Sequence, residues 1–226
     1  MLNDLSFAVS GGVHAILGPN GAGKSTLLRI LAGLAKAQSG DVGFEGVSLG
    51  DRRGTRIMRR WFGYQPQTPV FNNGFTVRES VGYAAWLKGM GARQAPGLID
   101  RALEATHLRD VKSMPVGRLS GGQQKRAAIA QAIVHQPRLL LLDEPTAALD
   151  PSERRSILDV IDHLGRESTV LLSTHITSDL RVADSVLVLT DGQARFSGPK
   201  MEFGQWARAD DADIWESAYD VLCEKL

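Results

Sequence analysis

The sequence predicts an α/β protein built on a mainly parallel sheet. Three observations carry that expectation. Val13–Leu17, apolar but for His14, and the wholly apolar residues 139–142 are runs of strand length, ended by Gly18 and Asp143. Residues 169–173 and 185–190 are two further apolar, β-rich runs. Segments of helical character lie between them. Strands buried on both faces lose polar–apolar alternation, and parallel neighbours need a helical crossover to join them.

Taken in order, the first run ends at Gly18, and a helix is expected from about Ser25. Leu27, Leu28, Ile30, Leu31 and Leu34 give it a broad apolar face. Residues 41–49 alternate in character between Gly40, Gly46 and Gly50, as an antiparallel edge would. Residues 52–60 are the densest basic stretch, with Ile57, Met58 and Trp61 at roughly helical spacing; they read as a solvated helix with an inward apolar stripe. Residues 75–135 contain several helix candidates and no convincing strand, so a helical subdomain is expected to be inserted into the α/β core. Residues 151–164 form a helix with Pro151 suited to its first turn. The stretch from about Asp210 is acidic, then amphipathic, as a short closing helix would be. The whole chain, 1–226, is thus one unit, with a core of 1–74 and 136–226 around the helical segment 75–135.

Composition narrows the function. A formal net charge of +1 gives no electrostatic footprint for nucleic acid. A single cysteine, Cys223, excludes an intramolecular disulfide. No run approaches the roughly 18 apolar residues of a membrane span, and the amino terminus lacks the features of a signal peptide. Any action on a membrane must then use another chain to cross it.

Three motifs carry chemistry. In Gly18-Pro19-Asn20-Gly21-Ala22-Gly23-Lys24-Ser25-Thr26, glycines let the backbone curl so that successive N–H groups face one phosphate chain at a helix start. Lys24 can reach β- and γ-phosphates, and the Ser25 hydroxyl can ligate Mg²⁺. Residues 139–142 deliver Asp143 and Glu144 to a strand end, where ligands sit in open α/β sheets. Asp143 suits Mg²⁺, and Glu144 is then free to polarise a water aimed at a γ-phosphate. Leu119-Ser120-Gly121-Gly122-Gln123 opens an alanine-rich helix and offers a second anion site. One nucleotide seldom needs two such sites. Taken alone, the third motif has a capped helix with a flexible entry turn as its lesser alternative.

With these motifs in this order, followed by Ala148-Leu149-Asp150 and Ser173-Thr174-His175 and preceded by Gln67 in Gly63-Tyr-Gln-Pro-Gln67, the chain resembles the ATP-binding cassette subunit of an ABC transporter over nearly its whole length. The resemblance implies a P-loop ATPase of ABC type that uses ATP and Mg²⁺. It implies a head-to-tail dimer, homo- or heterodimeric, in which Ser120, Gly121, Gly122 and Gln123 contact ATP held by the opposite subunit. His175 would contact the γ-phosphate and help position water. Gln67, preferred over Gln65 by its place in the motif, would sense Mg²⁺ and water. Asp150 would communicate across the dimer. His14, His107, His135 and His163 lack such context and read as structural.

The same resemblance implies an integral membrane permease as partner, no nucleic acid, and a cytoplasmic position, peripheral on the inner face of the cell membrane. Phe71, Phe75, Val77, Tyr83, Trp86 and Leu87 lie where the family receives the permease; most are expected in the core and one or two in the docking groove. The segment Phe75-Thr-Val-Arg-Glu79 is similar to multidrug-type and ABC-2-type exporters. In one respect the chain departs from the family. Lys24 lies so near Met1 that the family's first strand, with its adenine-stacking aromatic, is expected to be missing, and Phe7 is too close to the loop to replace it. Stacking of this kind contributes about 1–3 kcal/mol, so nucleotide binding is expected to be weakened, not abolished. Two rival functions are a soluble non-transport ABC ATPase and a nucleotide-dependent scaffold with impaired hydrolysis. The first would need a coiled-coil insertion or a second cassette; the presence of Glu144 and His175 counts against the second.

Overall fold

In the computed structural model, residues 2–50, 52–209 and 211–224 are described. The apolar runs become strands β1 (Val13–Leu17), β5 (Leu139–Asp143), β6 (Thr169–Thr174) and β7 (Ser185–Thr190), preceded by β2 (Gly43–Phe44), β3 (Val47–Ser48) and β4 (Phe62–Gln65) and followed by β8 (Gln193–Pro199). One six-stranded sheet has the order β4-β5-β6-β1-β7-β8. All its pairings are parallel except β7 with β8. The fold is therefore the expected α/β one: a mostly parallel sheet with an antiparallel edge.

That edge is not where the alternation of residues 41–49 placed it. β2 and β3 pair only with each other among the described residues, in a hairpin turning at Glu45 and Gly46. The antiparallel edge of the main sheet is β8, joined to β7 through Asp191 and Gly192, both at positive φ (52° and 78°). Asp-Gly is a strong hairpin signal because both turn positions need the left-handed region. The strand β4 also carried no clear periodicity, being only FGYQ. Residues 2–12 form no strand; Leu2, Leu5, Phe7 and Val9 lie partly buried against the sheet.

Alternate residues of each strand feed two apolar clusters, one per face. Leu17, Leu140, Leu142, Val170, Leu172 and Val188 belong to one; Ile16, Leu139, Leu141, Leu171, Leu187 and Leu189 belong to the other. The second face is covered by α1 (Lys24–Leu31) and α2 (Arg52–Trp61) through Leu27, Leu28 and Met58. Helix α2 behaves as expected, with exposed arginines outside and Met58 1% exposed. Gly54 lets it approach the hairpin, since a Cβ there would meet the Ser48 carbonyl oxygen at 1.8 Å.

The first face receives α3 (Val77–Leu87), α4 (Ala95–Ala105), α5 (Gly121–Ile133), α6 (Pro151–Gly165), the short α7 (Lys200–Gly204) and α8 (Ile214–Glu224). Asp210, where the acidic closing stretch was expected to begin, lies outside the described residues. Capping boxes start α3 and α5: the Thr76 and Ser120 hydroxyls accept from Glu79 N and Gln123 N, and those side chains return to the capping residues' backbone. Arg78 pairs with Asp100 to join α3 and α4, and Gln131 Nε2 donates to Ser80 Oγ at 2.8 Å to join α5 and α3.

The ends of α3 and α5 are tied to strand β4 through one carbonyl. Lys88 Nζ donates to Phe62 O at 2.7 Å and Arg59 O at 2.8 Å, while His135 Nε2 donates to Phe62 O at 3.0 Å. Burial pushes the Lys88 ammonium down to about 8. Burial, reinforced by the Lys88 charge, pushes His135 down to about 4, and its Nδ1 is buried with no hydrogen-bond partner among the described residues. The folded imidazole takes up a proton less readily than the unfolded one. Its contribution to stability is therefore present above 6.5, the ordinary histidine value, and is lost as pH falls towards 4. His135→Gln keeps a donor for Phe62 O and removes that titration. Thermal unfolding from pH 6.5 to 4 should show the wild type losing more stability than this variant; parallel losses would remove His135 as a source of acid sensitivity.

Candidate functional site

Parallel pairing sends the carboxyl ends of β4, β5, β6 and β1 to one edge of the sheet, and the register sets what meets there. Leu17 lies opposite Thr174, Asp143 opposite Ser173 and Gln65 opposite Leu142. The residues that follow these strands, from Gly18, Glu144, His175 and Pro66 onward, are thereby gathered at one edge. The groove of about 520 Å³ lined by Phe7, His14, Asp184 and Ser197 opens at the amino ends instead. His14 there bonds Ser185 Oγ and the Gly11 carbonyl, a structural role.

The phosphate loop turns sharply into α1. Gly23 has φ 103° and precedes Lys24 directly, a conformation that side chains rarely adopt. Gly18 passes so close to β7 that a Cβ would meet the Leu189 carbonyl oxygen at 2.1 Å. Pro19, Asn20, Gly21 and Thr26 are exposed and Ala22 is buried. Lys24 is 5% exposed; its Nζ donates to the carbonyls of Gly18 and Pro19 at 2.8 and 3.0 Å. Burial lowers its pKa, and the nearby Glu144 partly restores it.

Asp143 accepts from Ser25 Oγ and Ser173 Oγ on Oδ1, each at 2.8 Å, and from the Tyr64 hydroxyl on Oδ2 at 3.4 Å. Burial, with the Asp143 charge, raises the Tyr64 hydroxyl to about 12, so it remains a donor. Glu144 is the point on which the other groups converge. Its Oε1 lies 3.6 Å from Lys24 Nζ, an ion-pair distance, and 3.5 Å from His175 Nδ1; its Oε2 accepts from Gln67 Nε2 at 2.9 Å. Its backbone is held as well, by Ser173 Oγ accepting from Glu144 N at 3.0 Å and Lys125 Nζ donating to Glu144 O at 3.1 Å. Glu144 sits at φ 47°, in the left-handed region. A non-glycine residue there costs on the order of 1–3 kcal/mol and persists only when its surroundings determine it.

These residues fit Mg²⁺ bound with a phosphate. The hydroxyl of Ser25 and the carboxylate of Asp143 offer hard oxygen ligands side by side. Among the described residues no group of three or more His, Cys, Asp or Glu could hold a metal. A cation that keeps waters and takes phosphate oxygens needs no more than such a partial set. Gln67, expected to serve this ion, donates its Nε2 to Glu144 Oε2, beside these ligands.

Ser120, Gly121, Gly122 and Gln123 form the start of α5, about which the structure adds a neighbour. The Ser120 hydroxyl donates to Glu153 Oε1 at 3.1 Å, and a Cβ on Gly122 would meet that carboxylate at 2.5 Å. Asp150 caps α6 by accepting from Ser152 N, Glu153 N and the Ser152 hydroxyl, and these bonds hold its carboxyl below the usual range. Tyr64, Ser173, Lys125 and Glu153 were not singled out from sequence. Lys125 reaches Gln67 O, 58 positions away, at 2.7 Å, and no local pattern signals such a contact.

Comparison with known proteins agrees with this geometry. The family described as "ABC transporter" matches residues 2–147. An uncharacterised ABC transporter ATP-binding protein, YxlF of Bacillus subtilis (strain 168), is 38% identical over 84% of this chain and 63% of its own length. A Nod factor export ATP-binding protein I of Rhizobium sp. (strain N33) is 37% identical over 88% of this chain and 66% of its own. A methionine import ATP-binding protein, MetN 2 of Burkholderia mallei (strain ATCC 23344), is 38% identical over 84% and 49%. The chain thus spans at most about two thirds of the length of these relatives. Among solved structures, an ATP binding subunit of an ABC transporter superposes with TM-score 0.83 at 28% identity, covering 98% of this chain and 92% of that one. A dimeric bacterial ABC transporter cassette gives 0.79 at 27%, covering 88% and 90%.

Ser173 is fully buried; its hydroxyl donates to the Asp143 carboxylate and accepts from the backbone N–H of Glu144. Ser173→Ala leaves the Glu144 N–H without an acceptor and should lower the unfolding free energy by about 1–3 kcal/mol. Urea titration measures this, and an unchanged midpoint would show that the N–H finds another acceptor.

Proposed function

Because the chain belongs to the ABC transporter family, we propose that it binds and hydrolyses ATP to drive a separate membrane permease. The observation that carries this is the convergence of Lys24, Gln67 and His175 on the Glu144 carboxylate, beside Ser25 and Asp143 at the mouth of the phosphate loop. The loop amides and Lys24 would hold the triphosphate. Ser25 and Asp143 would hold Mg²⁺, which supplies charge neutralisation on the phosphate oxygens. Glu144, an acceptor held on three sides, would polarise the attacking water, and His175 would hold its orientation toward the γ-phosphate. His175 keeps 39% of its side chain exposed, which suits a group that must meet substrate.

The signature segment at Ser120 would serve ATP bound to a second cassette, as the dimeric neighbour supports. The Ser120 hydroxyl has one proton, and Glu153 accepts it. A phosphate oxygen arriving there would compete with this carboxylate. Asp150 would act at the same interface in addition to capping α6. Residues 75–135 would form the lobe that meets the permease, and 1–74 with 136–226 the nucleotide-binding core. Of the docking candidates, Val77 is fully buried and Phe71 packs against the core, whereas Tyr83, Trp86 and Leu87 are 48%, 68% and 63% exposed. Phe75, Tyr83 and Trp86 form a continuous aromatic row with centroids 5.9 and 5.8 Å apart. Among the described residues no helix is long and apolar enough to cross a membrane, in keeping with a permease on another chain. Export is the proposed direction, supported by Phe75-Thr-Val-Arg-Glu79 and by the Nod factor relative.

Glu144→Gln should reduce Mg²⁺-dependent ATP hydrolysis by about 10²-fold or more, the usual scale for a general base, while ATP-bound dimer accumulates in gel filtration. Hydrolysis at the wild-type rate would defeat the role given to Glu144. Glu153→Ala frees the Ser120 proton and should raise the dimer fraction at a fixed ATP concentration; an unchanged or smaller fraction would show that Glu153 does not compete. Reconstituted with its permease, the cassette should drive substrate away from the ATP side, and movement towards that side would make the system an importer.

A further inference from the structure

Asp179 takes no part in the site described above, yet it is fully buried, on the short helical segment Thr177–Val182 just beyond His175. Its Oδ2 accepts two short hydrogen bonds, from Thr146 Oγ1 and Thr174 Oγ1, both at 2.6 Å. These two threonines sit at informative places. Thr146 is two residues beyond Glu144 and Thr174 directly precedes His175. The Thr174 hydroxyl also accepts from Ile176 N at 3.0 Å, so one carboxylate, through one hydroxyl, grips the backbone on both sides of His175. The same carboxylate oxygen fastens the strand exit that holds Glu144 in its left-handed conformation.

Stability alone accounts poorly for this arrangement. Asp179 Oδ1 is buried with no hydrogen-bond partner among the described residues. A carboxylate removed from water with one oxygen unserved is costly, and an apolar substitute for such a group is often neutral or stabilising. What an apolar residue could not do is bind both hydroxyls at once. Glu144 and His175 approach to 3.5 Å across two loops from different strands; among the described residues Asp179 joins those loops beyond the strand ends, while Ser173 Oγ holds Glu144 N from within β6.

We propose that Asp179 is a positioning residue that locks the Glu144 loop to the His175 loop, setting the geometry in which these two groups act on water; this rests on the ATPase reading of the site. Misplacement of a reacting group by about 1 Å can cost on the order of 10²-fold in rate.

The test compares Asp179→Ala, Asp179→Asn and Thr146→Val in the full chain, with circular dichroism and thermal melting to establish folding. Asp179→Ala should lower kcat by about tenfold or more while KM for ATP moves by less than about twofold, the signature of an interaction expressed in the transition state. Asp179→Asn retains a carbonyl oxygen able to accept both hydroxyls and should recover most of the rate. Thr146→Val removes a single link and should give a smaller loss of kcat in a well-folded protein. Adding Asp179→Ala to His175→Ala should produce no further loss, because the brace acts through that histidine. Independently of turnover, the imidazole NMR signals assigned to His175 by their absence in His175→Ala should shift in Asp179→Ala and stay near wild type in Asp179→Asn. The proposal is overturned by unmoved His175 signals in Asp179→Ala, by Asp179→Asn being as slow as Asp179→Ala, or by full additivity with His175→Ala. If the wild type does not hydrolyse ATP, the ATPase reading fails, while the NMR comparison still decides whether Asp179 sets the position of His175.

Discussion

The hydroxyl of Ser173 donates to Asp143 Oδ1 and accepts from Glu144 N, so one oxygen holds two adjacent carboxylate residues at the end of β5. This is possible only because β5 and β6 run parallel with Asp143 opposite Ser173. A slip of one residue would invert every side chain between the two faces of the sheet. It would place leucines where the site needs polar groups and polar groups within the apolar clusters. The register that buries Leu140, Leu141 and Leu142 is thus the same register that aims Asp143 and Glu144. Packing and chemistry are fixed together.

The charges gathered at this strand end are not there to stabilise the fold. Lys24, Asp143 and Glu144 are each almost wholly buried, and their removal from water costs more than surface pairs return. Each is partnered, but the partners are loops rather than the core: the carbonyls of Gly18 and Pro19, the side chain of Gln67, the ring of His175. Burial lowers the pKa of both Lys24 and Lys125, and the carboxylates oppose that shift. An arrangement of opposed, desolvated charges around a strained residue at φ 47° is what a site prepared for a polyanion and a water molecule requires.

The helical segment is connected to this centre by a few long polar side chains. Lys125, on α5, spans to the carbonyls of Gln67 and Glu144, and Lys88 and His135 share the carbonyl of Phe62 at the start of β4. Lys125 thus links α5 directly to the backbone of Glu144. At the start of the same helix, Ser120 is bonded to Glu153 of α6. The amino-terminal part of the helix carrying the second anion site is thus tied by polar contacts to Gln67, Glu144 and Glu153, while the rest of α5 packs into the apolar cluster through Ala127, Ile129, Ala130 and Ile133.

Local sequence determined the parts whose causes are local. Continuous apolar runs specify β1, β5, β6 and β7; glycines specify the loop that needs φ 103° at Gly23; Ser120 with Gln123 and Asp150 with Pro151 specify helix starts. The motifs pointed to Lys24, Ser25, Asp143 and Glu144, the family resemblance added Gln67 and His175, and the strand ends bring these side chains together. What sequence did not determine was which strand forms the antiparallel edge, since pairing partners are chosen by packing of whole elements. Nor did it indicate that Gln67 contacts Glu144, that Glu153 accepts the Ser120 proton, or that Asp179 joins two loops. Those contacts link residues 77, 33, 33 and 5 positions apart. Hydrogen bonds between loops leave no periodic trace in a chain, because their geometry exists only after the parallel register has brought the strand ends together.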